Sequence, residues 1–263
     1  MSDNSAWITP DWPAPAGVRA QFTTRAGPTP GSGASHTPWN RFNLGDHVGD
    51  DPAAVMVNRA TLSEHLSAHP VFLTQVHGTS VAQLDFETPD GTVADAAVAT
   101  RPGLACTIMV ADCLPVLFTD TMGRAVAAAH AGWRGLAGGV LERTLTAICD
   151  LAQSGTDEVM AWLGPCIGPA AFEVGPEVRE AFVSVDAEAR ACFREREGGK
   201  FLADLPALAR RRLEAAGVTR IYGNDSTSNW CTVSQPARFY SYRRDQRMLG
   251  STGRMAACIS LAT

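Results

Sequence analysis

A mixed α/β fold of the α+β class is what this sequence predicts, and three observations carry the prediction. Leu104 to Val110, Val116 to Thr119 and Ala125 to Ala129 are apolar at consecutive positions, which places those strands between layers that cover both faces. Helical segments opened by Pro or a capping Asp and closed by Gly are interleaved with them. Too many strands lie next to one another for a simple alternating βα barrel.

Taken in order, Val18 to Thr24 reads as a short strand, and Gly27 to Asn40 (GPTPGSGASHTPWN) as a surface loop. Asp51-Pro52 supplies an N-cap and first helical residue for a helix to about Ser67. Val71 to Val76 is a β-rich run ending at His77-Gly78, and Ser80 to Leu84 continues it past a kink. After the three buried runs, Gly132 to Gly139 leads into a helix from about Leu136 to Ala152, closed by Gly155. Glu158 to Leu163 returns as a strand, Pro176 opens a short helix, and Asp204 caps another that ends at Gly217. Ile221-Tyr222, Arg238 to Tyr242 and Met255 to Leu261 read as late strands. No repeat, low-complexity tract or linker interrupts the chain, so residues 1–263 read as one domain with residues 1–17 loosely ordered.

Composition removes several function classes. At 263 residues, 45% hydrophobic and 19% charged, the chain buries a substantial core and is not disordered. A net charge of −5 leaves no electrostatic footprint for DNA or RNA. No apolar run approaches the ~18 residues of a membrane span, and the N-terminus lacks the basic and apolar regions of a signal peptide. Seven cysteines without a CxxC read as reduced thiols in a cytoplasmic protein, not a disulfide framework. Six histidines with no His-x-His pair cannot build a four-copper cluster, which needs about ten imidazoles. Nothing resembles a coiled coil or a swapped arm, and the oligomeric state stays open.

Three metal-ligand side chains sit at the ends of apolar strands beside Gly or Pro: His77 in TQVHG, Cys113 in VADCLP and His130 in HAGWRG. If the strand ends share a rim, one thiolate and two imidazoles converge, a set that suits Zn²⁺ with a fourth position open; thiolate softness also admits Cu(I). The spacing, 35 and then 16 intervening residues, matches no short zinc signature, and a His after a strand is more often a hydrogen-bonded turn residue. Gln75 and Asp112 flank the ligands and can orient them; Asp112 can alternatively act as a general base, provided the backbone turns near Pro115.

TTRAG, FNLGDHVGDD, TQVHG, VADCLPVLFTD, HAGWRG, LGPCIGPAAFEVG and FYSYRRD…TGR, in that order, resemble the YfiH/YlmD family from about Phe22 to Ile259. Its members carry the names laccase-domain protein or polyphenol oxidase, purine nucleoside phosphorylase and peptidoglycan editing factor. The resemblance implies a single α/β/β/α layered sandwich and a zinc ion held by His77, Cys113 and His130. It implies phosphorolysis of adenosine, inosine, guanosine and methylthioadenosine, with phosphate as co-substrate and adenosine deamination as a second activity. One departure stands out: TTRAGPTPGSG replaces the family's arginine followed by Gly-Gly-Val-Ser, which puts the role of Arg25 in question.

Phosphorolysis needs a phosphate held against the ribose, and Arg is the residue type whose fork grips two oxygens. Arg25, Arg134, Arg243 and Arg254 stand in matching motifs as candidates. Asn43 and Glu173 also stand in matching motifs and join Gln75 as candidate substrate contacts, with loop organisation the alternative role of Asn43 and pairing with an Arg that of Glu173. Trp133 and Phe239 offer rings for stacking, with core packing the alternative role. The catalytic set is His77, Cys113, His130 and Asp112; the chain has no His-x-Glu with Pro-Cys-x-x-Cys, so the ordinary zinc-deaminase mechanism does not transfer. Two other readings compete: a hydrolase of muramyl precursor amides with Cys113 as nucleophile, and a non-enzymatic zinc-stabilised binding protein. Oxidation by copper ranks last on the histidine count.

Overall fold

A strand that is apolar on both faces is stable only when both faces are covered, and the layers here do that. The computed structural model describes residues 6–29 and 31–262. Its strands are β1 (Val18–Phe22), β2 (His69–Phe72), β3 (Val81–Gln83), β4 (Ala96–Ala99), β5 (Leu104–Val110), β6 (Leu114–Asp120), β7 (Val126–Ala131), β8 (Val159–Leu163), β9 (Glu173–Val174), β10 (Phe193–Glu195), β11 (Phe201–Ala203), β12 (Arg220–Gly223) and β13 (Met255–Leu261). The α-helices are α1 (Pro52–Leu66), α2 (Trp133–Gly138), α3 (Val140–Ala152), α4 (Pro176–Val183), α5 (Leu205–Ala215) and α6 (Tyr242–Leu249).

A four-stranded sheet in the order β1-β13-β5-β2 faces a six-stranded sheet in the order β12-β8-β6-β7-β4-β3, and β10-β11-β9 form a small third sheet. Every residue of β5, β6, β7 and β13 is buried. Between the sheets lie Ile108, Val110 and Ile259 from one and Leu117, Ala128 and Trp162 from the other. On the outer face of the larger sheet, Val116, Phe118 and Ala129 pack with Leu141, Leu145 and Ile148 of α3 and Leu208 of α5. On the outer face of the smaller, Met109 and Ala256 pack with Leu62 and Leu66 of α1. Three cores separated by two sheets give the expected α/β/β/α order. Among the described residues no helix is long and apolar enough to cross a membrane.

Several expectations change. Arg238 to Tyr242 forms no strand: Phe239, Tyr240 and Ser241 are buried coil, and Tyr242 opens α6, capped by the Ser241 hydroxyl, which accepts from the Arg244 N–H. The helix expected over Leu136 to Ala152 is two helices, broken at Gly139, which adopts φ +94°. The run expected over Val71 to Val76 leaves the sheet at Phe72, and Pro115 and His130 lie inside β6 and β7, paired with each other, not beyond the strand ends. Of the N-terminal segment expected to be loose, residues 1–5 lie outside the described residues; the rest is tied down. Trp7 packs against Phe42 and His65, and Ile8 exchanges both backbone hydrogen bonds with Phe22.

Candidate active site

His77, Cys113 and His130 do converge. One ligand atom from each lies within 4.8 Å of the others, and no second such group of His, Cys, Asp or Glu occurs among the described residues. Cys113 Sγ is 3.7 Å from His77 Nε2, and the two imidazole centroids are 4.8 Å apart. His77 is exposed, Cys113 half-buried and His130 buried, so the set opens on one side only. Gly132 is the close neighbour: a Cβ there would sit 2.9 Å from His77 Cδ2 and 3.0 Å from Cys113 Sγ. Gly132→Ala is therefore expected to push the ligands apart and lower metal stoichiometry in the purified protein, with a wild-type metal content counting against this packing.

Two of the three ligands follow residues or occupy conformations that the chain must be forced into. His77 has φ +60° and Asp112 φ +88°, both in the left-handed region disfavoured for side-chain-bearing residues. The turn that aims Cys113 is thus at Asp112, not Pro115.

What holds His77 there is Asp95, which the sequence reading did not single out. Its Oδ1 accepts the His77 N–H at 2.9 Å, and its Oδ2 accepts the N–H groups of Val76 at 3.1 Å and Gly78 at 2.7 Å. The same Oδ1 lies 2.8 Å from His130 Nδ1, and the Asp95 carbonyl accepts the His130 N–H at 2.7 Å. Burial works against ionisation of Asp95, but the hydrogen bonds from His130 and the backbone hold the carboxyl below its ordinary range. A lone carboxylate inside an apolar run, Val93 to Ala99, was the available signal, because a buried charge requires partners.

Burial likewise opposes a thiolate at Cys113, yet His130 and His77 outweigh it and bring the thiol well down. His130 responds in the opposite sense: burial favours the neutral ring, but Cys113 and Asp95 draw its basicity up. The donor set therefore fits a soft or borderline metal cation: a thiolate, an imidazole whose Nδ1–H is held by a carboxylate, and a second imidazole.

The other candidates separate cleanly. Gln75 clamps the end of β5, donating from Nε2 to the Met109 carbonyl and accepting the Met109 N–H, both at 2.8 Å. Asp112 is buried, which pushes its carboxyl up, and its oxygens are taken by the Thr232 hydroxyl at 2.5 Å and the Arg243 N–H at 2.6 Å. That environment suits an orienting side chain, the first of the two roles read for Asp112. Arg25 is spent on backbone carbonyls of Asn40 and Pro236, away from the cavity, because the loop it serves folds back on Tyr240. Asn43 is fully buried and accepts the N–H groups of Gly45 and Arg254, so it organises a loop. Glu173 pairs with Lys200 at 2.8 Å, outside the cavity lining, and Phe239 is core. Arg25, Asn43 and Glu173 are thus not positioned as direct substrate contacts.

A cavity of about 950 Å³ joins the triad to the remaining arginines. Arg134, Arg243 and Arg254 line it together with Gln75, Trp133 and Tyr242. Arg134 is exposed and touches only the Trp133 ring, 4.5 Å from its centroid, among the described residues. Arg243 uses Nη1 on the carbonyls of Ala171 and Glu173, and Arg254 uses Nη1 on those of Thr252 and Gly253, leaving Nε and Nη2 of each uncommitted among the described residues. Burial weakens the hold of Arg254 on its charge, a cost that an anion beside it offsets.

A family model described as multi-copper polyphenol oxidoreductase laccase matches residues 19–262. A purine nucleoside phosphorylase of Pseudomonas aeruginosa is 53% identical, covering 98% of this chain and 99% of that one. The purine nucleoside phosphorylase YfiH of Escherichia coli is 48% identical over the same shares. Among solved structures, a Neisseria meningitidis protein superposes with a TM-score of 0.89 at 46% identity, covering 98% of this chain and all of that one. YlmD from Geobacillus stearothermophilus superposes at 0.86 with 29% identity, covering 100% and 98%. Matched along nearly its whole length in sequence and fold, this chain belongs to the YfiH/YlmD family, the laccase-like family of that model.

Proposed function

We propose that the protein is a zinc-bearing purine nucleoside phosphorylase, acting on adenosine, inosine, guanosine and methylthioadenosine, with adenosine deamination as a second activity. The observation that carries this reading is the single cavity in which a His/Cys/His ligand set meets three arginines with uncommitted donors. Phosphate is the co-substrate such arginines suit. Arg134, Arg243 and Arg254 would grip its oxygens and aim one at the ribose C1′, where a C–O bond forms as the bond to the purine nitrogen breaks. The electron pair leaves with the purine, which departs more easily when its ring nitrogen receives a hydrogen bond; His77 Nδ1, without a protein partner among the described residues, lies in the lining and can donate it. Trp133 and Tyr242 supply rings against which the base can lie. When bound to His77, Cys113 and His130, zinc supplies a Lewis acid able to make water nucleophilic near neutral pH, the chemistry deamination requires. Seven free thiols support a reducing, cytoplasmic setting.

The test is metal analysis of the purified protein together with a nucleoside panel, with and without phosphate. Free base and pentose 1-phosphate are expected only when phosphate is present, and inosine from adenosine in its absence. No base release at high enzyme loading overturns the reading.

One observation favours a second reading, amide hydrolysis of a muramyl precursor. Cys113 bonds the imidazole of His130, whose Nδ1 lies 2.8 Å from Asp95, so Cys113, His130 and Asp95 stand as nucleophile, base and orienter in sequence. Alkylation of Cys113 by iodoacetamide only after chelation would support it; undiminished amide turnover in Cys113→Ala would remove it.

A further inference from the structure

Asp95 does more than brace a loop. It is fully buried, and all four of its side-chain hydrogen bonds come from donors: three successive backbone N–H groups and His130 Nδ1. A carboxylate surrounded in this way carries a full negative charge and, among the described residues, has no cationic side chain paired to it except the imidazole of His130. That imidazole is itself a ligand, with Nε2 the nitrogen left for a metal. The charge of Asp95 therefore belongs to the metal site although the residue offers no atom to the ligand set.

Counting charges makes the consequence concrete. Cys113 as thiolate contributes −1, Asp95 −1, and two neutral imidazoles nothing. A divalent cation brings this half-buried group to neutrality; a monovalent one leaves −1 in a place where uncompensated charge is expensive. The ligand chemistry alone does not discriminate, since thiolate and imidazole accept Cu⁺ as well as Zn²⁺.

We propose that Asp95 is the positioning residue that sets which metal the site keeps, fixing His130 with Nε2 toward the metal and supplying the second negative charge that selects a divalent over a monovalent ion. The inference rests on the metal-site reading and not on the reaction catalysed. It also explains why one residue reaches both histidines: the carboxylate that balances the charge holds the left-handed backbone of His77 and the ring of His130 at once.

The experiment is anaerobic competition of the full-length protein against chelators of known affinity, with Zn²⁺ and with Cu⁺ separately. In Asp95→Asn, which keeps the size and removes the charge, Zn²⁺ affinity is expected to fall about 10–100-fold while Cu⁺ affinity falls much less. In Asp95→Glu, which keeps the charge and changes the reach, both affinities fall together and their ratio stays as in the wild type. An unchanged Zn²⁺ to Cu⁺ ratio in Asp95→Asn, or the same altered ratio in Asp95→Glu, overturns the proposal. If Asp95→Asn does not fold, nitrogen-15 NMR of the zinc-loaded wild type decides the orientation: a proton on His130 Nδ1 is required, and a proton on Nε2 overturns it. Wild-type protein that binds neither ion removes the metal-site reading itself, a result distinct from a metal-binding protein with an unaltered ratio.

Discussion

Cys113→Ala is expected to leave a folded protein that retains almost no metal and has lost about a thousandfold in kcat/KM for adenosine deamination. The direction follows from charge. Cys113 supplies the one thiolate of the set, and without it His77 and His130 offer a metal two neutral nitrogens and no compensating charge among the three ligands. The size of the effect depends on what the metal-loaded site contributes, so wild-type protein stripped by a chelator should fall to the same rate as the variant. The fold is expected to survive because Cys113 is half-buried at the mouth of β6, while the core of that strand is Val116, Leu117 and Phe118. Metal analysis, steady-state kinetics and thermal unfolding of the metal-free forms check all three parts. Metal-free wild type and variant should unfold within a few degrees of one another, on the rule that about 1 kcal/mol shifts a domain of this size by ~2–4 °C. A variant that loses its metal, unfolds far earlier and keeps its turnover would favour the purely structural role for the ion.

How much of this was legible in the sequence depends on how local each signal was. β5 and β13 match the expected strands residue for residue, because a near-continuous apolar run between punctuating residues needs no knowledge of its neighbours. β4 went unread: three of its four residues are Ala, whose weak strand preference hides a segment held in the sheet by pairing with β7. The Phe239-Tyr240-Ser241-Tyr242 stretch reads as a strand by its aromatic content, yet the rings of Phe239 and Tyr240 are buried by distant segments while Tyr242 is exposed. Tyr240 donates to the carbonyl of Trp39, 201 residues earlier. The helix signal that follows, Ser241 as N-cap with Asp245 accepting its N–H, was present and outweighed by the aromatic content. The metal ligands, with Gln75 and Asp112 flanking them, were readable as residue types at strand ends, whereas Asp95 acquired its role only through hydrogen bonds across 17 to 35 positions. Motif membership marked Arg25 and Asn43, yet Arg25 donates to backbone carbonyls and Asn43 bonds the backbone of Gly45 and Arg254 and the Asp50 carboxylate.

Asn43 nevertheless bears on function through Arg254, and that leads to the second large effect. Arg254→Ala is expected to lower kcat/KM about 10²-fold, chiefly through a raised KM for phosphate, with the metal content unchanged. Three features concentrate the effect on Arg254. It is the most enclosed of the three candidate arginines, its main chain is pinned by Asn43 Oδ1 at 2.8 Å, and Gly45 lets its side chain lie flat, since a Cβ there would come within 2.7 Å of Arg254 Cγ. With Nη1 committed to the carbonyls of Thr252 and Gly253, its Nε and Nη2 remain as a parallel pair of donors in a fixed orientation. Arg134, exposed and resting on an indole, has more freedom to lose on binding and should cost less when removed. Arg254→Lys then separates fork from charge: a lysine restores attraction for phosphate but not the paired donors, so it should recover only part of the loss. Full recovery by lysine would mean that Arg254 acts as a point charge, and an unchanged phosphate KM in Arg254→Ala would move the phosphate to the Arg134 and Arg243 side of the cavity. Gly45→Ala supplies the structural counterpart, because it displaces the Arg254 side chain without touching its charge and should reproduce much of the alanine phenotype.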